Sequence, residues 1–429
     1  MIVICRESGK LLRGSWRDNS LTQENPAVRV LFLSNGYAED LIAVTTIKKL
    51  WEEDPRLEIK ALPLVGEGRV YEGLNIEILG PRKMLPSGGF AGFRPWSLLK
   101  DLAAGGPKVL LQQMDALRGE RSWADLVVSV GDVFLVILSA ALIKKPIIFL
   151  ATAKSDHAGG MKNYYRIEKY IMRRLCRLVF ARDERTASSL KKWGIPSLYV
   201  GNVMMDCLEV MGEDFGVGSR QYVVGILPGS KREAYDNLEI ILEAVNVIET
   251  KEPYQSRVNY LLALAPSLSL EKLTPLISPY GWQVKDAGPF EKKRGLIAYL
   301  TSTQGTSIKI IQGRFGDVLN LSQVVIGLSG MGNEQAVGLG RPVVSFPGRG
   351  PQISWHFLQA QKQILGGAVS MVKPEGEAVA EEVCSLLDDP KRRERLARMG
   401  KERMGGPGGA GRIAHLIKKE IEELKNSLV

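Results

Sequence analysis

The segment Ser329-Gly330-Met331-Gly332-Asn333-Glu334 gathers, within six residues, a hydroxyl, two turn glycines and a carboxylate. An apolar, β-branched run, Val324-Val325-Ile326, leads into it, and Pro342-Val343-Val344 follows a short polar stretch, so the order is strand, glycine turn, helix and strand. The helix is expected to begin near Met331. Open α/β sheets bind ligands at the carboxyl ends of their strands, where this turn lies. Gly330 and Gly332 let backbone N–H groups approach an anion at the helix N-terminus, which makes phosphate the natural guest. Glu334, in the first helical turn, can accept hydrogen bonds from the vicinal hydroxyls of a ribose. The same carboxylate could instead serve only to complement the helix dipole.

A second turn of this kind lies about a hundred residues earlier. Val223 to Leu227 runs into Pro228-Gly229-Ser230-Lys231-Arg232, with a helix expected over Asn237 to Ile248. Gly229 supplies the turn, and Ser230, Lys231 and Arg232 supply a hydroxyl and two cations. The two turns can converge on one ligand, a diphosphate with its sugar.

The elements that must position these turns alternate along the whole chain. Val28 to Leu33 is a strand running into Asn35-Gly36, with a helix from Leu41 to Glu53; strand signals recur at Leu57–Pro63, Leu126–Val130, Ile147–Ala151, Leu178–Ala181 and Leu198–Val200. Such alternation predicts mainly parallel sheets covered on both faces, hence an α/β protein. The expected organisation is a polar extension over 1–27, a first Rossmann-like domain over 28–203, a linker over 204–220, a second Rossmann-like domain over 221–387 and helices over 388–429. At 429 residues, 45% of them apolar, the chain can build two cores. The apolar stretch Leu126 to Ile143 is long enough to span a bilayer, but Gly131 and Asp132 interrupt it, so strand, helix and a following strand at Ile147 are the better reading. The interval Gly88 to Gly92, whose glycines lie around Phe90 and Phe93, is poor in regular-structure signals and is expected to be an apolar loop. Arg412 to Leu428 forms an amphipathic helix that must dock on the N-terminal domain or on a partner subunit, which leaves a homodimer open.

A net charge of +10 draws the protein to anionic surfaces, a nucleic acid or the inner face of a membrane. Lys169, Arg173, Arg174 and Arg177 recur at roughly helical spacing, interleaved with Tyr164, Tyr165 and Tyr170; a solvated helix face is the commoner origin of such a run. The four cysteines are isolated and only three histidines are present, so neither a disulfide framework nor a metal site is expected. No signal peptide is apparent at the N-terminus, and a cytoplasmic location is expected.

Two Rossmann-like domains with a phosphate turn in the second describe the GT-B glycosyltransferases, and four segments are more specific. Ser34-Asn35-Gly36-Tyr37-Ala38-Glu39-Asp40-Leu41, Tyr199-Val200-Gly201-Asn202-Val203-Met204-Met205-Asp206, Leu227-Pro228-Gly229-Ser230-Lys231 and Ser329-Gly330-Met331-Gly332-Asn333-Glu334 resemble the lipid-A-disaccharide synthase family, its synthase-related subgroup in particular. The resemblance implies transfer of an N-acetylglucosamine-type sugar from a UDP-sugar donor to a lipid-linked acceptor, with no metal, no redox cofactor and no nucleic acid. It places the donor in the C-terminal domain, against Gly229 to Arg232 and Ser329 to Glu334, and the acceptor in the N-terminal one, near Asn35 and Gly36. The chain departs from the family in its first turn, where Gly-Glu-x-Ser-Gly-Asp is usual, and at Lys231, where the family carries arginine. A lysine is a point charge without the planar fork.

Ser129-Val130-Gly131-Asp132-Val133 also resembles the family's strand-end aspartate segment. There Asp132 could take the proton of the acceptor hydroxyl; its other role is to cap the helix beginning near Val133. Glu39 and Asp40 are the alternative bases. Non-hydrolysing UDP-sugar 2-epimerases share the Gly-Asp segment, but where they carry His-x-Glu-Ala-Gly this chain has Phe149-Leu150-Ala151-Thr152-Ala153. A noncatalytic sugar-nucleotide-binding protein is the remaining alternative.

Overall fold

A computed structural model describes residues 27–83, 105–159, 163–218, 222–350 and 353–426. The expectations for residues 1–26 and for the loop at Gly88 to Gly92 fall outside them. The N-terminal domain runs β1 (Arg29–Ser34), α1 (Tyr37–Glu53), β2 (Glu58–Pro63), β3 (Glu77–Ile78), α2 (Gly106–Gly119), β4 (Leu126–Gly131), α3 (Val133–Leu138), β5 (Ile147–Ala151), α4 (Arg166–Leu175), β6 (Cys176–Ala181), α5 (Glu184–Lys192) and β7 (Ser197–Leu198). After a short α6 (Val203–Asp206), the C-terminal domain contains β8 (Tyr222–Leu227), α7 (Glu233–Glu249), β9 (Val258–Ala263), α8 (Leu270–Ile277), β10 (Trp282–Asp286), α9 (Pro289–Lys293), β11 (Leu296–Ser302), β12 (Ser307–Ile311), α10 (Phe315–Leu321), β13 (Val324–Gly327), α11 (Gly330–Gly338), β14 (Val343–Ser345), α12 (Trp355–Leu365) and β15 (Val369–Met371). Three helices end the chain: α13 (Gly376–Asp388), α14 (Pro390–Met404) and α15 (Gly409–Asn426).

The first sheet has the order β3-β2-β1-β4-β5-β6-β7, all parallel; the second has the order β10-β11-β12-β9-β8-β13-β14-β15. The central strands are near-continuous apolar runs because helices cover both faces. Val30 to Leu33 and Leu126 to Val128, for instance, are wholly inaccessible. The second sheet departs from the all-parallel pattern at one edge, where β11 runs antiparallel to both β10 and β12. β11 alternates buried and half-buried residues, and in β10 only Trp282 is buried, which suits an edge open to water on one side.

Leu126 to Ile143 folds as β4, α3 and a single π turn, and among the described residues no helix is long and apolar enough to cross a membrane. The terminal helix α15 returns to the N-terminal domain. Ile413, Ala414, Ile417 and Ile421 are buried in one cluster with Ile42, Ala43 and Leu50 of α1. Burying each isoleucine stabilises by about 1.5–3 kcal/mol. Asp206 adds a polar clamp, its carboxylate accepting from the backbone N–H of Gly408 and, at 2.7 Å, of Ala410 at the start of α15. The apolar face that could have joined a partner subunit is therefore spent within the chain.

Candidate functional site

In an open parallel sheet the ligand crevice lies where successive connections diverge to opposite sides. The first sheet has that point between β1 and β4; the second has it between β8 and β13. The turns following these four strands are the four read from the sequence: Asn35-Gly36, Gly131-Asp132, Pro228 to Arg232, and Leu328 to Gly332.

On the N-terminal side the backbone itself is tailored. Gly131 has φ of +140°, a conformation that favours glycine, and a Cβ there would stand 1.9 Å from Asn35 Oδ1 and displace that side chain. Asn35 donates a side-chain hydrogen bond to Asp132. Asp132 caps α3, accepting from the backbone N–H of Phe134 at 2.9 Å, so the capping role considered from sequence is realised in the geometry. Its pKa is nonetheless raised: burial favours the protonated carboxyl more than the Phe134 amide and Asn35 favour the charge. Glu39, on the first turn of α1, folds back over Gly36 and leaves no room for a Cβ there. Burial raises its pKa as well, and the Asp132 and Glu334 carboxylates push in the same direction while Arg182 opposes them.

Asp40 is placed differently from its neighbour. It is 2% exposed, and Ser34 Oγ donates to it at 2.5 Å while standing 2.7 Å from the Tyr71 hydroxyl. Burial pushes its carboxyl up to about 7. Asp40 belongs to a sealed network beneath the turn, so as a base for a substrate in the crevice it is ruled out by its position.

On the C-terminal side, Gly229 has φ of +112° and turns the chain against the Leu328 carbonyl. Ser230, Lys231 and Arg232 are exposed, and with Tyr235, Ser267 and Lys272 they line a cavity of about 520 Å³ at the start of α7. The helix after Pro228-Gly229 begins earlier than expected, at Glu233 instead of Asn237. Ser329 caps α11 and accepts from Gly332 N–H at 3.1 Å, which commits that amide within the protein. Gly330 keeps open space around its Cα, its nearest neighbour for a Cβ being Phe357 Cζ at 3.7 Å. Met331 packs partly buried against the core.

Asn333 has a structural role. It is fully buried and donates to Gly327 O at 3.1 Å and to Gln361 Oε1 at 3.0 Å, tying α11 to β13 and α12. Glu334, one position on, points across the crevice and pairs with Arg182 at 3.2 Å.

Arg182 was not singled out from the sequence. It follows β6 directly, in Ala181-Arg182-Asp183, and the position just past a buried strand is the one signal that could have found it. Arg182 also donates to the Thr152 carbonyl at 3.3 Å. Burial opposes its charge, but the Glu334 and Asp183 carboxylates more than offset this, so its pKa is raised. Glu39, Asp132, Glu334 and Arg182 thus share one crevice between the domains. Among the described residues no group of three or more His, Cys, Asp or Glu side chains is placed to hold a metal ion.

Comparison with known proteins agrees with this architecture. A lipid-A-disaccharide synthase from Trichlorobacter lovleyi is 26% identical over 253 residues, which cover 54% of this chain and 59% of that protein. The chain is similar to the lipid-A-disaccharide synthases. It spans under two thirds of the length of the curated relatives it matches first. No family model matches. Among solved structures, UDP-GlcNAc 2-epimerase from Neisseria meningitidis bound to UDP-GlcNAc superposes with a TM-score of 0.55 at 15% identity, covering 92% of this chain and all of the other. MurG of Acinetobacter baumannii gives 0.54 at 13% identity, covering 91% and 99%. These likenesses establish the two-domain GT-B fold.

Proposed function

We propose that the protein is a glycosyltransferase that moves an N-acetylglucosamine-type sugar from a UDP donor to the hydroxyl of a lipid-linked acceptor. The observation that supports the reading is the Arg182–Glu334 ion pair between the domains, with Glu39 interacting with both of them and with Asp132. Glu334 holds the ribose, and Gly330, Ser230, Lys231 and Arg232 face the diphosphate. Asp132 takes the acceptor proton as the hydroxyl attacks the anomeric carbon; burial raises its proton affinity, which suits a base, while the Phe134 amide and Asn35 hold it in place. UDP leaves with the bonding electron pair.

The acceptor's lipid character is supported by the surface beside this wall. Helices α3 and α4 pack together and expose Phe134, Ile137, Ile167 and Tyr170, with Arg166, Lys169, Arg173 and Arg174 around them. Arg177 is not part of that surface, because it pairs with Glu420 and, at 2.8 Å, with Glu423 of α15. An apolar patch ringed by cations suits a peripheral position on an anionic membrane face.

Measuring UDP release from UDP-N-acetylglucosamine with and without a lipid extract tests the reaction. A transferase releases UDP in step with acceptor consumed. An epimerase interconverts the sugar without acceptor, and a binding protein does neither; either outcome would replace the proposal.

A further inference from the structure

We propose that Arg182 is a ligand of the donor diphosphate, supplied by the N-terminal domain and parked on Glu334 until a ribose takes that carboxylate. The inference rests on the UDP-donor reading above and adds to it a specific residue, from the opposite domain, with a defined exchange of partners.

The pair occupies the point where the two domains face each other. The side chain of Arg182 is 11% exposed and that of Glu334 17%, so little solvent screens them. A guanidinium this enclosed cannot simply lose its counter-ion, because an uncompensated buried charge is strongly unfavourable. If ribose hydroxyls replace the arginine N–H as donors to Glu334, the guanidinium is left with the Asp183 charge but without the anion it hydrogen-bonds, and it favours a new one. The donor brings one. Glu334 lies five residues beyond the cap Ser329 on α11, so at about 1.5 Å per residue the guanidinium stands within roughly one and a half turns of the helix mouth where the phosphates are expected. The planar fork can then grip phosphate oxygens in a bidentate manner.

The charge balance of the crevice points the same way. Glu334 and Asp183 act directly on Arg182, and Glu39 interacts with Arg182, Glu334 and Asp132. An incoming diphosphate adds negative charge to that set, while Lys231, Arg232 and Lys272 lie on the donor-domain wall alone. Arg182 brings a cation from the facing wall, anchored by its hydrogen bond to Thr152 O. Binding of donor would thereby draw the two domains onto the same ligand. A plain strut between domains would need the ion pair but not its place beside the ribose carboxylate.

The test is calorimetric titration of UDP and of uridine into wild type, Arg182→Gln and Arg182→Lys, with melting temperatures as a check on folding. Arg182→Gln should weaken UDP at least about tenfold, as expected for loss of a charge-assisted bond, while uridine binds as well as to wild type or better, since Glu334 is no longer engaged. Arg182→Lys should retain part of the preference for UDP over uridine, and it supplies the comparison if the glutamine variant does not fold. Equal loss of UDP and uridine in both variants overturns the inference and leaves Arg182 as a strut. Failure of the wild-type protein to bind UDP at all is a different result, and it overturns the donor reading together with this one.

Discussion

Replacing Asp132 with asparagine separates its chemical role from its structural one. The carboxylate has two kinds of partner, the Phe134 amide at 2.9 Å and the Asn35 side chain. Asparagine can still accept from Phe134 N–H, and Asn35 can turn its amide to match the new NH2 group. Asparagine and aspartate cap helices about equally well, so Asp132→Asn should change stability by under about 1 kcal/mol. Removing a general base costs about a hundredfold to ten-thousandfold in rate, equivalent to roughly 2.7–5.4 kcal/mol of barrier. The two effects differ enough to be told apart in one variant. The assay is UDP release with acceptor present, alongside thermal melting and UDP affinity. A second readout comes from pH: because burial raises the Asp132 pKa, the acidic limb of kcat/KM should lie above the ordinary carboxylate range, with rate rising as the group loses its proton, and this limb should vanish in the variant. Turnover within a few-fold of wild type would refute the assignment. Asp132 would then be a helix cap, and Glu39, whose pKa is also raised, would be the next residue to test.

Other outcomes follow from the same geometry. Glu334→Ala should raise the UDP dissociation constant at least about tenfold, matching the roughly 1.5–3 kcal/mol of a charge-assisted hydrogen bond, and unchanged affinity would remove it from the site. Lys231→Ala and Arg232→Ala should weaken UDP far more than uridine, and calorimetry showing equal losses would exclude a phosphate role. Sedimentation with anionic vesicles should be strong at low salt and fall as salt rises, because surface attraction is screened within about 8–10 Å near physiological ionic strength; no binding at low salt would refute membrane docking. Asp40, with its folded pKa raised to about 7, binds its proton more tightly folded than unfolded, so its contribution to stability is full below about pH 4 and is lost as pH rises through 7. Denaturant melts should therefore show Asp40→Asn gaining on wild type by a few kcal/mol between pH 4 and 7, and parallel curves would contradict the sealed network with Ser34 and Tyr71.

Local signals in the sequence determined the strands and the turns. The runs at Val30 to Leu33, Leu126 to Val130, Val223 to Leu227 and Val324 to Ile326 are strands because fully covered parallel strands need uninterrupted apolar residues. Gly36, Gly131, Gly229 and Gly330 mark where each strand yields to a helix, and that too is a local matter. Helix starts were less legible: α1 and α7 each begin four residues before the positions expected, since polar first turns carry little apolar periodicity. Side-chain direction was beyond the sequence. Glu39 and Asp40, like Asn333 and Glu334, are chain neighbours about 100° apart around a helix, so one reaches the crevice while the other is sealed in the core, and only packing decides which. The order of the strands was equally undetermined, and it alone brings the four turns to two facing switch points. Arg182 and Glu334 meet because the two sheets are held together by the return of α15 and by contacts such as that between Gln335 Nε2 and the Met204 carbonyl at 3.1 Å. A charge pair separated by about a third of the chain leaves no periodicity to read, and its existence depends on the tertiary structure.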